Sequence, residues 1–495
     1  MRLTNCNLLL FLAFTGLILL TGCEDKIESS LSGTLSGRVL GQEDMLPLTE
    51  IRISTNPYSE VVETDSVGHF IIEGIKTGEY NVIATKSGYK SESVAVTIFF
   101  NETTEIEMVL SESVESYSDL EFIESFLPTE KETVSGLEVL FAWGVEGADS
   151  ISFDLFLYEN GADSSPMIFE NIQDTAYLVN GLKYNTGYLW QIIAHHNSSE
   201  IYSPVRRFNT SAFPENQILH ARQNDDVLQL FVTDSLAETN SQITFGKHHT
   251  WNAKINHQRT AIAFQSTRDV ESSLYIMDLD GGNVRRLTDF HVGGYFHKKI
   301  EYDWAPDGTH IIFSSYDNLY SINPDGTGLR VLAKAPEDYH FREVVYSPDG
   351  ENIYVIVLSS DVLDRKIYQM DGNGDNLSLL YEDPGYALAN LDVSPDLKSL
   401  LFSKDLSGHV STTGRMLNAH VFELNISSGA AVDLSDHKPA GTNDLSASYS
   451  PDGGSIVFTN SRNTLSATPS VCVMDLNGDS RKCIIEGGYT PQWFE

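Results

Sequence analysis

Cysteine is scarce in this chain, with four in 495 residues. Cys6 lies inside an N-terminal apolar segment and Cys23 directly after it. That leaves Cys472 and Cys483, an even pair that an oxidising compartment would join. Basic residues are also few: Lys and Arg total 32 against 69 Asp and Glu, a formal charge of -37. Such a charge repels phosphate backbones and argues against nucleic-acid partners. Beyond residues 8–20 no apolar run is long enough to span a membrane. Catalytic signatures are missing too. There is no Gly-x-Ser-x-Gly, no His-Glu-x-x-His and no phosphate-binding glycine loop, so no catalytic residue, cofactor or metal site is assigned. A hydrophobic fraction of 41% is enough for packed cores, and the length allows about three domains.

The N-terminus carries the first positive signal. Arg2, an apolar run over residues 8–20 and Leu20-Thr21-Gly22-Cys23 read as a signal peptide over residues 1–22. Its end resembles a bacterial lipobox. The resemblance implies cleavage before Cys23, a diacylglycerol thioether on its sulfur, and an outer-membrane lipid anchor. The body would face the periplasm or the cell surface. Residues 23–34 are polar and read as a tether.

Three all-β pieces follow. Residues 35–110 alternate with period two between glycines, as at Ile51-Arg52-Ile53, and contain Asp65-Ser66-Val67-Gly68-His69-Phe70 and Gly78-Glu79-Tyr80. These resemble the carboxypeptidase-regulatory-like module, a non-catalytic β-sandwich. Residues 118–211 alternate again, through Leu137, Val139, Phe141 and Trp143, then Phe153, Leu155 and Leu157. With Leu182, Tyr188 and Trp190 the segment resembles a fibronectin type III domain. In that family Tyr188 would form the tyrosine corner, and both tryptophans read as core.

Residues 213–495 repeat. Trp304-Ala305-Pro306-Asp307-Gly308, Tyr346-Ser347-Pro348-Asp349-Gly350, Val393-Ser394-Pro395-Asp396-Leu397 and Tyr449-Ser450-Pro451-Asp452-Gly453 each precede a buried strand. A degenerate copy lies at residues 253–257, and Tyr489-Thr490-Pro491 reads as one more. Prolines 306, 348, 395, 451 and 491 are spaced by 42, 47, 56 and 40 residues, the period of a four-stranded blade. The repeats resemble the TolB-like propeller. The fold expected is all-β, two small β-sandwiches followed by a six-bladed β-propeller. Residues 489–495 would join 218–245 in one composite blade, removing free edges. Cys472 and Cys483 would face each other across a two-residue hairpin centred between Asn477 and Gly478, with Cα atoms ~5.5 Å apart and disulfide-bonded.

One segment imitates a calcium loop: Asp371-Gly372-Asn373-Gly374-Asp375 with Glu382. Asn376 stands where that loop needs glycine, so a β-turn is the better reading. Ligand candidates come instead from connections between blades: His249 and Trp251; His291, Tyr295 and His297; Tyr339 and His340; Tyr386; His437; Tyr489. The insertion over residues 405–419 would share their face. Aromatic and imidazole groups at a channel mouth suit sugar stacking, peptide docking or a metal. The expected function is an envelope lipoprotein whose propeller binds a protein or glycan partner, with the sandwiches as spacer. The alternatives are a metal-dependent uronate lyase-like propeller and a purely structural component of an outer-membrane complex.

Overall fold

The computed structural model describes residues 31–494 except 57–58, 87, 113–119, 148–150, 161–165, 197–198, 216, 225, 270, 291, 295–299, 412 and 465. Cys23 and the signal peptide lie outside the described residues. Those described form strands and turns, with no helix among them. They divide into two compact units, residues 1–116 and 117–495.

In the first unit, Ser32–Gly41 pairs antiparallel with His69–Lys76 and parallel with Thr103–Leu110. A second sheet holds Val62–Glu63, Arg52–Asn56, Gly78–Thr85 and Glu92–Ile98. Leu35, Val39, Ile53, Phe70, Val82 and Met108 fill one core, because alternate residues of each strand point inward. The first strand starts at Ser32, inside the segment read as tether. The Asp-x-x-Gly turn closes as its residue types require. Asp65 accepts the N–H groups of Val67 and His69, and Gly68 has φ 73°.

The second unit opens with two more sheets. Glu138–Glu146 lies between Ala176–Asn180 and Glu121–Leu127. Gly187–His196 lies between Ser152–Glu159 and Arg206–Thr210. Phe141, Trp143, Leu155, Trp190 and Phe208 are buried between them. Tyr188 stacks on Phe208, and its hydroxyl accepts the Lys183 N–H at 3.0 Å. Burial pushes this hydroxyl up to about 12. Tyr188→Phe removes the acceptor from a backbone donor and should cost about 1–2 kcal/mol. The urea midpoint of this unit measures the loss; an unchanged midpoint would refute the role of the bond.

Six four-stranded antiparallel sheets follow. Their innermost strands are Gly488–Trp493, Thr250–Ile255, Tyr302–Trp304, His340–Tyr346, Ala387–Val393 and Thr442–Tyr449. Each of these strands touches the next, and the sixth touches the first, so the sheets close into the ring of a β-propeller. Gly488–Trp493 pairs with Gln217–Asn224, bringing the end of the chain into the sheet where the repeats begin. We number the blades one to six from that sheet.

Two local readings need correction. Pro491 lies inside the innermost strand of blade one, not in a turn. It fits there because the pairing shifts register between Leu219 and Ala221, and a bulge tolerates the missing N–H. The hairpin of Cys472 and Cys483 is wider than two residues. Asp475 donates its N–H to Asp479 and accepts from Gly478, while its side chain caps Asn477 and Asp479. The same turn recurs at residues 278–283, 323–328 and 371–376, each with a left-handed residue in fourth and sixth place. The calcium-loop imitation is one of these turns: Asn376 has φ 58° and donates to Asp371 at 2.6 Å. Cys472 and Cys483 are paired in register and bonded, with Cα atoms 3.8 Å apart beside a register shift at Val471.

The two sheets that open the second unit pack against the propeller. Leu137 and Tyr184 are buried in one cluster with Leu219, Phe264, Tyr275 and Phe494. The Tyr184 N–H donates to the Asp280 carbonyl at 2.9 Å, and its ring meets Phe213 edge-on. This apolar contact sits beside the face bearing the Pro-Asp-Gly turns. We call the opposite face, where one blade leads to the next, the open face.

Candidate functional site

The innermost strands would alternate strictly if regular, but several carry a bulge. Register shifts fall at residues 251–254, 341–343, 389–392, 445–448 and 489–492. Asn252, Asn390, Ser446 and Thr490 hold φ of 50°, 55°, 51° and 42° there. A bulge re-aims side chains and sharpens the twist. Here it turns polar groups into the ring axis. Asn252, Glu301, Glu343, Asn390, Ser446 and Thr490, one from each blade, line a narrow waist of about 70 Å³. Two residues further along, Lys254, Asp303, Val345, Asp392, Ser448 and Gln492 form a second layer.

Several of these groups bond across blades. Asp303 pairs with Lys254 at 2.9 Å and accepts the Tyr346 N–H at 2.8 Å. Asp392 accepts the Tyr449 N–H at 2.7 Å. Asn252 donates to the Ile300 carbonyl at 2.8 Å. Burial opposes the Lys254 charge, yet Asp303, Asp392 and Glu301 together hold its proton more tightly than usual. Burial raises Asp392 to about 7, against the Tyr449 N–H and the Lys254 charge, with Asp303 adding to the rise.

The channel widens at both ends. Toward the Pro-Asp-Gly turns lies a cavity of about 320 Å³ that includes Arg259, Trp304 and Phe494. Toward the open face lies one of about 420 Å³, lined by Arg342, Arg415, Arg462, Asn390, Asn443 and Asn463 together with Glu301 and Glu343. Its roof is the insertion between the second and third strands of blade five, which supplies Arg415 and Met416. Buried Asp405 accepts the N–H groups of Leu417 and Asn418 at 3.1 and 2.9 Å, and Asn443 accepts that of Ala419 at 2.8 Å. Arg415 and Asn463 tie the roof to blade six. This mouth is preorganised and polar.

The chain matches no family model, and no curated protein matches it. Solved structures similar to it include TolB from Acinetobacter baumannii, at 17% identity over 62% of this chain and 79% of that one, TM-score 0.45. A nidogen/laminin complex chain shares 15% identity over 57% of this chain and 98% of that one, TM-score 0.43. An oligogalacturonate lyase in complex with manganese shares 11% over 55% and 73%, TM-score 0.37. The propeller assignment stands on the closed ring of strands itself.

The described sequence candidates sit elsewhere than this mouth. None of the seven described ones lines the three cavities. His249 is exposed and accepts the Leu228 N–H. Trp251 and Tyr489 come together, but half-buried against the core between blades one and two. Tyr339 donates to Asp364 at 2.7 Å under the Lys366 ammonium. Tyr386 lies below Lys404, His340 begins its strand half-buried, and His437 is exposed beside Asp436. His291, Tyr295 and His297 lie outside the described residues. Sequence reasoning missed the channel groups. The signal was available: Asp303 and Asp392 each stand three residues before the proline of a repeat, where an apolar strand has no other use for a charge.

Proposed function

We propose that the chain is an envelope lipoprotein, anchored in the outer membrane through lipid on Cys23, whose two β-sandwiches carry a six-bladed propeller that docks a protein partner. The observation that carries the reading is the built mouth on the open face, about 420 Å³ beneath a tied-down roof. Three arginines line it in a chain of net charge -37. Complementary charge steers encounter and fixes orientation. Its asparagine amides suit a peptide backbone.

A photoreactive p-benzoylphenylalanine at Ser461, on the mouth, should cross-link one envelope protein in intact cells. The same group at Glu351, in a Pro-Asp-Gly turn, should not. Cross-linking from Glu351 alone, or from neither site, would overturn the reading. The anchor has its own test. Labelled palmitate should enter the wild-type chain and be lost in Cys23→Ala; equal labelling of both excludes lipid at Cys23.

A further inference from the structure

We propose that the mouth on the open face is a carboxylate pocket that takes an acidic peptide segment of the docking partner, seated on Arg342. This rests on the docking reading above and adds the chemistry of what docks.

Arg342 is 8% exposed, and its Nε and Nη1 have no hydrogen-bond partner among the described residues. Its ionic neighbour among those residues is Glu343, with Nε to Oε1 at 3.4 Å. A well-formed guanidinium–carboxylate bond is ~2.7–2.9 Å and often forked, so this contact leaves the fork unfilled. An arginine that is buried yet under-bonded bears much of the cost of leaving water. The surroundings do not relieve it. Arg365, 3% exposed, spends its donors on the Val362 and Leu388 carbonyls. Burial and the Arg342 charge pull it down to about 9. A second buried guanidinium therefore repels the one in the mouth, and Arg415 and Arg462 add positive charge from the roof and rim. An incoming carboxylate would complete the Arg342 fork and offset this repulsion. Glu343 is the internal competitor, and Asn390, Asn443 and Asn463 offer amides for the adjoining peptide groups.

The test uses the mature chain with Cys23→Ala and isothermal titration. The probes are acetyl-Gly-Glu-Gly-Glu-Gly-amide, its glutamine analogue, acetyl-Gly-Gly-Gly with a free carboxylate, and trigalacturonate. The glutamate peptide should bind at least about tenfold more tightly than the glutamine peptide, as for hydrogen bonds to a charged group. Arg342→Gln should abolish that preference, with its thermal transition confirming a folded chain. Glu343→Gln should tighten binding several-fold, and it carries the test should Arg342→Gln not fold. Binding by the free carboxylate peptide alone would support the pocket and assign it to a chain terminus. Equal binding of glutamate and glutamine peptides, an Arg342→Gln chain that binds like wild type, or preference for trigalacturonate would each overturn the proposal. A partner cross-linked at Ser461 without Arg342-dependent peptide binding sinks this inference and leaves the docking reading standing. The reverse pattern sinks the docking reading.

Discussion

Asp444→Ala should cost the second unit about 3–5 kcal/mol, the usual loss when one partner of a buried charge pair is removed. Asp444 has no exposed surface. One carboxylate oxygen accepts from the Ser435 hydroxyl at 2.6 Å and the Arg481 guanidinium at 2.7 Å; the other accepts from Asn460 at 2.7 Å. Ser435 follows the outermost strand of blade five, whereas Arg481 and Asn460 belong to blade six. One side chain thus ties two blades and neutralises a guanidinium that also lies over the Phe458 ring at 4.6 Å. Alanine would leave Arg481 charged, largely buried and unpaired. Asp444→Asn keeps the shape but must aim an amide N–H₂ at donors on one side, for about 1–3 kcal/mol. Urea unfolding of this unit should show the midpoint falling with slope m unchanged. A loss below about 1 kcal/mol for alanine would mean that the blade contact does not depend on this carboxylate.

What could be read in the sequence was local. Pro-Asp-Gly turns, period-two alternation and the Tyr188 corner announce themselves because each depends on residues close in the chain. So did the all-β class. Pro491 keeps the spacing of the repeat, yet it lies inside Gly488–Trp493, the strand that joins residues 217–224 as the composite blade requires. The two-residue reading of the Cys472 hairpin failed because Asp475 caps a wider turn from its side chain. The channel was hidden more deeply. Lys254 and Asp303 are 49 positions apart, and Arg342 stands beside Glu343 in a strand whose later residues are apolar. Their meeting depends on ring closure and on bulges that shift side chains by one place. Histidines and aromatics in connecting loops looked more functional because loops hold many binding residues. Those described are engaged at the rim or in the core instead, while the mouth is built from arginine and asparagine.

Raising the pH through neutrality should weaken the second unit, and Asp392→Asn should remove that loss. In the folded chain Asp392 titrates near about 7, above the ~3.9 of an unfolded aspartate. The folded state therefore holds the extra proton between these values. Stability from this group is full below pH ~4 and is lost as pH rises through ~7. Unattenuated, each tenfold gain in proton affinity is worth about 1.4 kcal/mol; the waist opens at both ends into larger cavities, so about 2–3 kcal/mol is the expected loss. The groups facing Asp392 are the Lys254 ammonium, the Asp303 carboxylate, the Ser448 side chain and the Tyr449 N–H. Lys254 is already committed to Asp303 at 2.9 Å, so the second carboxylate ionises with its counter-charge shared. Urea midpoints from pH 5 to 8 should fall for wild type relative to Asp392→Asn, with the variant the more stable of the two at pH 8. Parallel profiles would mean that Asp392 is ionised throughout. The same step places one more negative charge beneath the arginine-lined mouth. Affinity for the glutamate peptide should therefore drop above pH 7 in wild type and stay level in Asp392→Asn, coupling the waist of the channel to the pocket above it.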